Sequence, residues 1–227
     1  MVCVIFDLEG TLVRSVEMKE EAILDFRQQT RKKLIELGIP AETLAGIEAS
    51  TLMRNKAIQY ANDILSEWER LKLERQLDEF LLEYELNWAK ASALFPDTMP
   101  VLGTLRERGI HIAIVTNTSR QAAEAIFTKH GLSKYFDVVV TRNDVAQLKP
   151  DPQGIFLALG RLPDKAEFFV GDTRIDSEAA KNAGIKSIII RRGWPHALVP
   201  PDCPADYSVK SLAEIIRIFK KHYSAIT

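Results

Sequence analysis

Cysteine is nearly absent from this chain: Cys3 and Cys203 are the two in 227 residues, and they have no metal-site spacing. A disulfide-dense secreted scaffold is thereby excluded, and the reducing cytoplasm is the expected setting. No apolar run approaches the ~18 residues that a membrane-spanning helix needs. Met1 leads straight into apolar sequence, so no secretory leader is expected. An excess of one charge sign is missing too. Lys and Arg number 30 against 31 Asp and Glu, a net charge of -1, so nothing in the balance favours nucleic-acid phosphates. Internal repeats and low-complexity segments are also lacking. The expectation is a soluble globular chain with neither a nucleic-acid nor a membrane partner.

What is present is ordinary in bulk. Hydrophobic residues make up 46% and charged residues 27%, and the length suits one domain with a large insertion or two small domains. The opening run Val2-Cys3-Val4-Ile5-Phe6 reads as a strand buried on both faces. It stops at Asp7 and Glu9, with Gly10-Thr11 directly after.

From about Val16 to Leu94 the pattern is helical. Ile23, Phe26, Thr30, Leu34 and Leu37 share one helix face, and Gly38 with Pro40 supplies the stop. A second helix is expected over Ala41 to Ala61. Ile64, Leu65, Trp68, Leu71, Leu77, Phe80, Leu81, Tyr84 and Trp88 then mark a long amphipathic stretch, with a break near Lys72. The Met and aromatic positions of the whole helical region are expected in the core of a helix bundle.

From Pro96 onward strands alternate with helices. Strands are expected at 112–115, 136–140, 168–170, 187–190 and 207–209. Helices are expected at 120–130, 153–159, 177–183 and 212–220, with a short one around Val101 to Leu105 and a Pro-rich loop through Pro204. This alternation predicts an α/β fold, a doubly wound parallel sheet with helices on both faces. The first strand belongs to that sheet. The core is therefore expected at residues 1–15 and 95–227, with an all-helical segment inserted at 16–94.

Ligands of such sheets collect at the carboxyl ends of the strands. Four strand ends or nearby loops carry polar groups: Asp7 and Glu9, Thr116 and Asn117, Lys149, and Asp172 with Asp176. Singly, each has a plainer account as a helix cap or a solvated charge. Together they suit phosphoryl transfer. Asp7 and Asp172 offer hard oxygen ligands to a cation such as Mg2+, and Asp176 can bind the ion or orient its water. Lys149 adds positive charge. The Thr116 hydroxyl and the N–H groups opening the helix at Ser119 can hold phosphoryl oxygens. A carboxylate nucleophile divides hydrolysis into two steps, with a second acid moving the protons, and Asp7 and Glu9 fit those roles.

These motifs, in this order, resemble those of the haloacid dehalogenase-like hydrolase superfamily nearly end to end. Phe-Asp-Leu-Glu-Gly-Thr-Leu is similar to the superfamily's first motif, Asp-x-Asp-x-Thr, which makes Asp7 the implied nucleophile. Ile-Val-Thr-Asn resembles the second through Thr116, Leu-Lys-Pro-Asp-Pro the third through Lys149, and Gly-Asp-Thr-Arg-Ile-Asp the acidic fourth. The ending Ala-Asp-Tyr-Ser-Val-Lys-Ser-Leu-Ala-Glu-Ile is similar to that of phosphoglycolate phosphatase-like members. The resemblance implies a Rossmann-like core, a helical cap at 16–94 and a phosphatase acting on a small phosphorylated metabolite. Its Mg2+ would be held by Asp7, the main-chain carbonyl of Glu9, Asp172 and Asp176. Dehalogenases proper act without a metal, whereas this acidic pair favours a metal-dependent site.

Two positions depart from the pattern. Glu9 stands where most phosphatase members carry Asp, which leaves a non-catalytic phosphate-binding domain as the rival reading. Arg14 stands where phosphoglycolate phosphatase-like members usually carry Asp. Substrate choice is expected to lie with the cap, where Arg54 and Lys56 are candidates for a substrate carboxylate or second phosphate. A monomer or a homodimer is expected, the long helix offering a dimer face.

Overall fold

The computed structural model describes residues 3–16, 19–192 and 203–222. β1 (Cys3–Phe6) is fully buried and lies between β4 (His111–Val115) and β6 (Ala166–Gly171). β5 (Val138–Val140) adds beside β4, while β7 (Lys186–Ile190) and β8 (Tyr207–Val209) extend the other side. The order is β5-β4-β1-β6-β7-β8, with every pairing parallel.

Alternate residues of β1 serve opposite faces of the sheet. Val4 and Phe6 pack with Ile126 of α5 (Arg120–His130) and Phe219 of α8 (Ala213–His222). Cys3 and Ile5 pack with Ile155 of α6 (Gln153–Arg161) and Ala180 of α7 (Arg174–Asn182). α4 (Thr98–Glu107) adds Val101, Leu102 and Leu105 to the first cluster. The expected doubly wound α/β sheet is present. The chain leaves β1 for one side of the sheet and passes from β6 to the other. The crevice at the carboxyl ends of β1 and β6 is thus the switch point where such folds bind ligands.

One element carried no sequence signal. After Asp7 the chain makes a tight turn, Leu12 and Val13 both donating to the Leu8 carbonyl at 2.9 and 3.1 Å. It then forms β2 (Val13–Ser15), antiparallel to β3 (Ser92–Leu94). Three residues are too few to show a period. Arg14 faces solvent on this ribbon.

Between the ribbon strands lie α1 (Glu20–Glu36), α2 (Ser50–Ile64) and α3 (Glu67–Lys90). They share a cluster that includes Leu34, Met53, Ile58, Leu73, Leu77 and Leu81. The helix expected over 41–61 is instead a short 3-10 turn (Ala41–Leu44) followed by α2, with Gly46 at φ +72° between them. A left-handed backbone cannot continue a helix.

α3 runs unbroken through Lys72, started by a capping box of Ser66 and Glu69. Trp68, expected in the bundle core, and Ile64 and Leu71 of the same expected amphipathic stretch are exposed by 69, 65 and 51%. Ile64 closes α2. Trp68 and Leu71 stand five and two residues from Leu73, off the stripe that α3 buries. The strand expected from Phe136 begins at Val138, because Asp137 spends its carboxylate on the Ile112 N–H at 2.8 Å.

Most of the Pro-rich loop before Pro204, and Val2, lie outside the described residues. Among the described residues, no helix is long and apolar enough to cross a membrane.

Truncating Leu77 to Ala should destabilise the protein by ~2–5 kcal/mol. Trp68→Ser should stay within ~0.5 kcal/mol. Denaturant midpoints of the two variants check this contrast.

Candidate active site

Asp7 follows β1, and its N–H donates to the Val170 carbonyl of β6 at 2.8 Å, which ties the two strand ends together. β6 ends at Gly171, and Asp172 comes next. Gly10 has φ +82°, and a Cβ on it would lie 2.1 Å from Asp172 Oδ2. Only glycine lets the turn after Asp7 pass so close to that carboxylate.

Thr173 caps α7, and Asp176 answers it: Asp176 Oδ2 accepts the Thr173 N–H at 2.9 Å and the Thr173 hydroxyl at 2.6 Å. α7 therefore starts at Arg174, ahead of the expected Ser177, because the capping box sits inside the acidic motif itself. The box leaves Asp176 Oδ1 free to accept from Lys149 Nζ at 2.7 Å, and Lys149 also reaches Asp7 Oδ1 at 2.5 Å.

Asp7, Asp172 and Asp176 are all buried, and each offers an oxygen within 4.8 Å of the others. Three carboxylates against one ammonium leave two negative charges uncompensated. Burial, followed by repulsion from Asp176, drives Asp7 from 3.8 up to about 6 even though Lys149 opposes it. Asp172 is raised well above its ordinary value by burial and by the Asp176 and Asp7 charges. Burial works against the Lys149 cation, yet the carboxylates of Asp176 and Asp7 hold it above its usual range. Asp172 Oδ2 has no hydrogen-bond partner among the described residues. An orphaned carboxylate oxygen in an oxygen-rich, doubly negative cluster fits a hard divalent cation.

Glu9 is half-buried beside this cluster, and its Oε2 accepts the Thr118 hydroxyl at 2.5 Å. Burial, with the nearby Glu85 and Asp7 charges, lifts it from 4.5 to about 7 and outweighs the Thr118 hydrogen bond. Its carboxylate stands outside the three-acid cluster. Thr116, at the end of β4, is buried, and its Oγ1 accepts the Thr118 N–H at 3.2 Å.

Asn117 is engaged with the lysine loop rather than free. Its Nδ2 donates to the Lys149 carbonyl at 3.3 Å and its Oδ1 accepts the Lys149 N–H at 3.0 Å. Asp7, Glu9, Thr116, Asn117, Lys149, Asp172 and Asp176 line one crevice of about 220 Å³. The four expected strand ends and loops do converge.

Glu9, Thr51, Asn117 and Thr118 also line a second chamber of about 130 Å³ under α2 and α3. Arg54 reaches it, buried to 7% exposure, with Nη1 on the Ala146 carbonyl at 3.1 Å and no partner for Nε among the described residues. Lys56 does not reach it. Two residues on along α2 it faces solvent, bonded to Gln59 Oε1 at 3.2 Å, because positions two apart on a helix point to opposite sides.

Three further residues of this region were not singled out from sequence. Arg142 is fully buried and pairs with Asp78 and with Glu85, Nη2 to Oε2 at 3.1 Å. Glu85 also accepts the Ser119 N–H at 3.0 Å, so one of the donors expected for phosphoryl oxygens is already taken. Thr118 is the third. Glu85 left a readable signal: it is an acid on the stripe of Leu77, Leu81 and Ala89 that α3 buries.

Comparisons with known proteins agree with this geometry. A family model described as haloacid dehalogenase-like hydrolase matches residues 4–190. The chain belongs to that family, and within it to the hydrolases of the phosphatase type. It is 31% identical over 217 residues to a Cupriavidus necator protein named "Phosphoglycolate phosphatase, plasmid", covering 92% of this chain and 89% of that one. A phosphoglycolate phosphatase of Photorhabdus laumondii is 30% identical over 209 residues, covering 87% of this chain and 85% of that one. Among solved structures, an HAD phosphatase from Thermococcus onnurineus superposes with a TM-score of 0.57 at 28% identity. It covers 96% of this chain and 98% of its own.

Replacing Lys149 by Met would leave the three acids without a cation. The expected cost is ~3–5 kcal/mol, the usual result of breaking a buried ion pair. The pH dependence has a definite sign. Asp7 is raised from 3.8 to about 6 in the folded protein, which therefore binds more protons than the unfolded chain across that window. Stability from this group falls as pH rises through it, and the fall should extend further in Lys149→Met. Denaturant titrations of both proteins from pH 4 to pH 8 in chelator, and then with a divalent cation added, check the sign and the expected partial rescue.

Proposed function

We propose that this protein is a Mg2+-dependent phosphatase that hydrolyses a small phosphomonoester of the phosphoglycolate kind through an aspartyl-phosphate on Asp7. The observation that carries the reading is the cluster of Asp7, Asp172 and Asp176 around Lys149, with Glu9 beside it at the switch point. Asp7, Asp172, Asp176 and the main-chain carbonyl of Glu9 would hold the Mg2+, which would supply positive charge against the substrate phosphate. Lys149 adds a second positive charge and holds Asp7 and Asp176 in place. Thr116 and Asn117 line the crevice where the phosphoryl oxygens bind.

In the first step the Asp7 carboxylate attacks phosphorus, the bond to the leaving oxygen breaks, and Glu9 gives that oxygen its proton. In the second, Glu9 takes a proton from water, the water oxygen attacks phosphorus, and Asp7 is released with inorganic phosphate. A proton donor at neutral pH must hold its proton there, and burial lifts Glu9 to about 7. Its extra methylene relative to Asp is taken up by the contact with Thr118.

α1–α3, within residues 16–94, act as a cap over the core of 1–15 and 95–227. The chamber beneath them takes the leaving group. At about 130 Å³ it is well below the ~300 Å³ at the lower end of drug-sized pockets, which favours a short organic acid. Arg54 meets the carboxylate of that acid. Burial and the adjacent Arg142 cation make the Arg54 charge costly, a cost that an arriving anion relieves. The setting is the cytoplasm, and the partner is the metabolite itself, bound by a monomer or homodimer.

Asp7→Asn should abolish hydrolysis of p-nitrophenyl phosphate with Mg2+ present while circular dichroism stays unchanged; retained turnover would exclude the aspartyl-phosphate route. Wild-type activity should vanish in chelator. If there is no turnover in either condition but phosphate binds tightly, the protein is a binding domain. Glu9→Gln should lose at least ~10²-fold in kcat. Arg54→Ala should raise KM for phosphoglycolate and spare p-nitrophenyl phosphate; equal loss on both, or on neither, removes Arg54 from substrate recognition.

A further inference from the structure

Lys149 sits on a loop, and side chains hold the main chain of that loop. Gln153 Oε1 accepts the N–H groups of Ala146 and Gln147 at 2.9 and 3.0 Å. Leu148 is clasped from both sides of its peptide by one amide: Asn55 Nδ2 donates to the Leu148 carbonyl at 2.7 Å, and Asn55 Oδ1 accepts the Leu148 N–H at 2.9 Å. Asn117 makes the same two contacts with the next residue, Lys149, at 3.3 and 3.0 Å. Successive residues are thus gripped by two asparagines in the way one strand grips another. The two belong to different parts of the fold. Asn117 lies just beyond β4 of the sheet, whereas Asn55 stands on α2, among the helices inserted between β2 and β3.

We propose that Asn55 is a positioning residue for the phosphatase reaction, setting the Lys149 ammonium by holding the main chain of Leu148. The proposal rests on the phosphatase reading of the site. Asn55 lies between Arg54 and Lys56 on α2, and its own side chain touches neither Asp7 nor Glu9, so its effect passes through the loop. Lys149 bridges Asp7 and Asp176 at 2.5 and 2.7 Å, and distances that short tolerate little drift of the backbone carrying the lysine. Displacement of a reacting group by ~1 Å can cost on the order of 10²-fold in rate. The arrangement gives α2 two separate tasks: Arg54 faces the leaving-group chamber, and Asn55 faces the loop that serves the phosphoryl group.

The test compares Asn55→Ala, Asn55→Asp and Lys56→Ala with wild type, using p-nitrophenyl phosphate and phosphoglycolate with Mg2+. Amide hydrogen exchange is followed by NMR at Leu148 and Lys149. Asn55→Ala should lower kcat about tenfold or more on both substrates with KM within about twofold, whereas Lys56→Ala, on the solvent side of the same helix, should leave both within about twofold. Asn55→Asp keeps the acceptor for the Leu148 N–H and loses the donor to its carbonyl, so its kcat should fall between the two. Exchange should quicken in Asn55→Ala at Leu148 and also at Lys149, whose N–H Asn55 does not touch.

Unchanged kcat per folded molecule, or faster exchange confined to Leu148, would overturn the proposal, as would a change in KM alone. Absence of turnover in wild type counts against the reading of function instead, and the exchange at Lys149 then decides the coupling without it.

Discussion

A single buried ammonium surrounded by three buried carboxylates constrains this molecule more than any other contact. Lys149 can stabilise Asp7 and Asp176 only if its loop, the end of β1 and the start of α7 meet within hydrogen-bonding distance. The surrounding details serve that meeting. Gly10 removes a Cβ that would strike Asp172, Thr173 holds one Asp176 oxygen so that the other faces the lysine, and Asn117 fixes the lysine's own peptide. Charges taken out of water at this density favour folding poorly. Their presence at the switch point of the sheet therefore adds little to stability, and it is where the proposed reaction would need them.

The helices between β2 and β3 complete the site from above. Glu85 of α3 takes the Ser119 N–H and pairs with Arg142, while α2 contributes Arg54 and Asn55. Glu9 stands where the two halves meet, lining both the crevice of the three acids and the chamber under α2 and α3. In the proposed reaction the proton carrier between nucleophile and leaving group occupies such a boundary.

Much of the sheet was legible in the sequence because parallel strands buried on both faces read as uninterrupted apolar runs, as in Val4-Ile5-Phe6 and Phe168-Phe169-Val170. The acids were legible because they punctuate those runs. The two-stranded ribbon was not, since three residues establish no period. Trp68 and Leu71 misled because apolar residues on a long helix resemble a core stripe until a partner surface defines which face is covered. Lys56 was grouped with Arg54 by proximity along the chain, although helical geometry sends them to opposite sides. Asn55 left no mark at all. An amide that clasps the peptide of a residue far away in sequence has no periodicity and no characteristic neighbour.

The ribbon of β2 and β3 also has a topological meaning. The chain leaves the sheet side and returns to it at adjacent positions, with the Val16 N–H on the Ala91 carbonyl at 3.2 Å. With its ends pinned together, everything between them presents itself to the sheet as a closed loop, whatever its length. The entropy of loop closure grows only logarithmically with added chain. Material can therefore be lengthened, shortened or exchanged there without disturbing β1, β4 or β6. A fold with such a seam can keep one reaction chemistry in its sheet while the helices above it are rebuilt for a different leaving group.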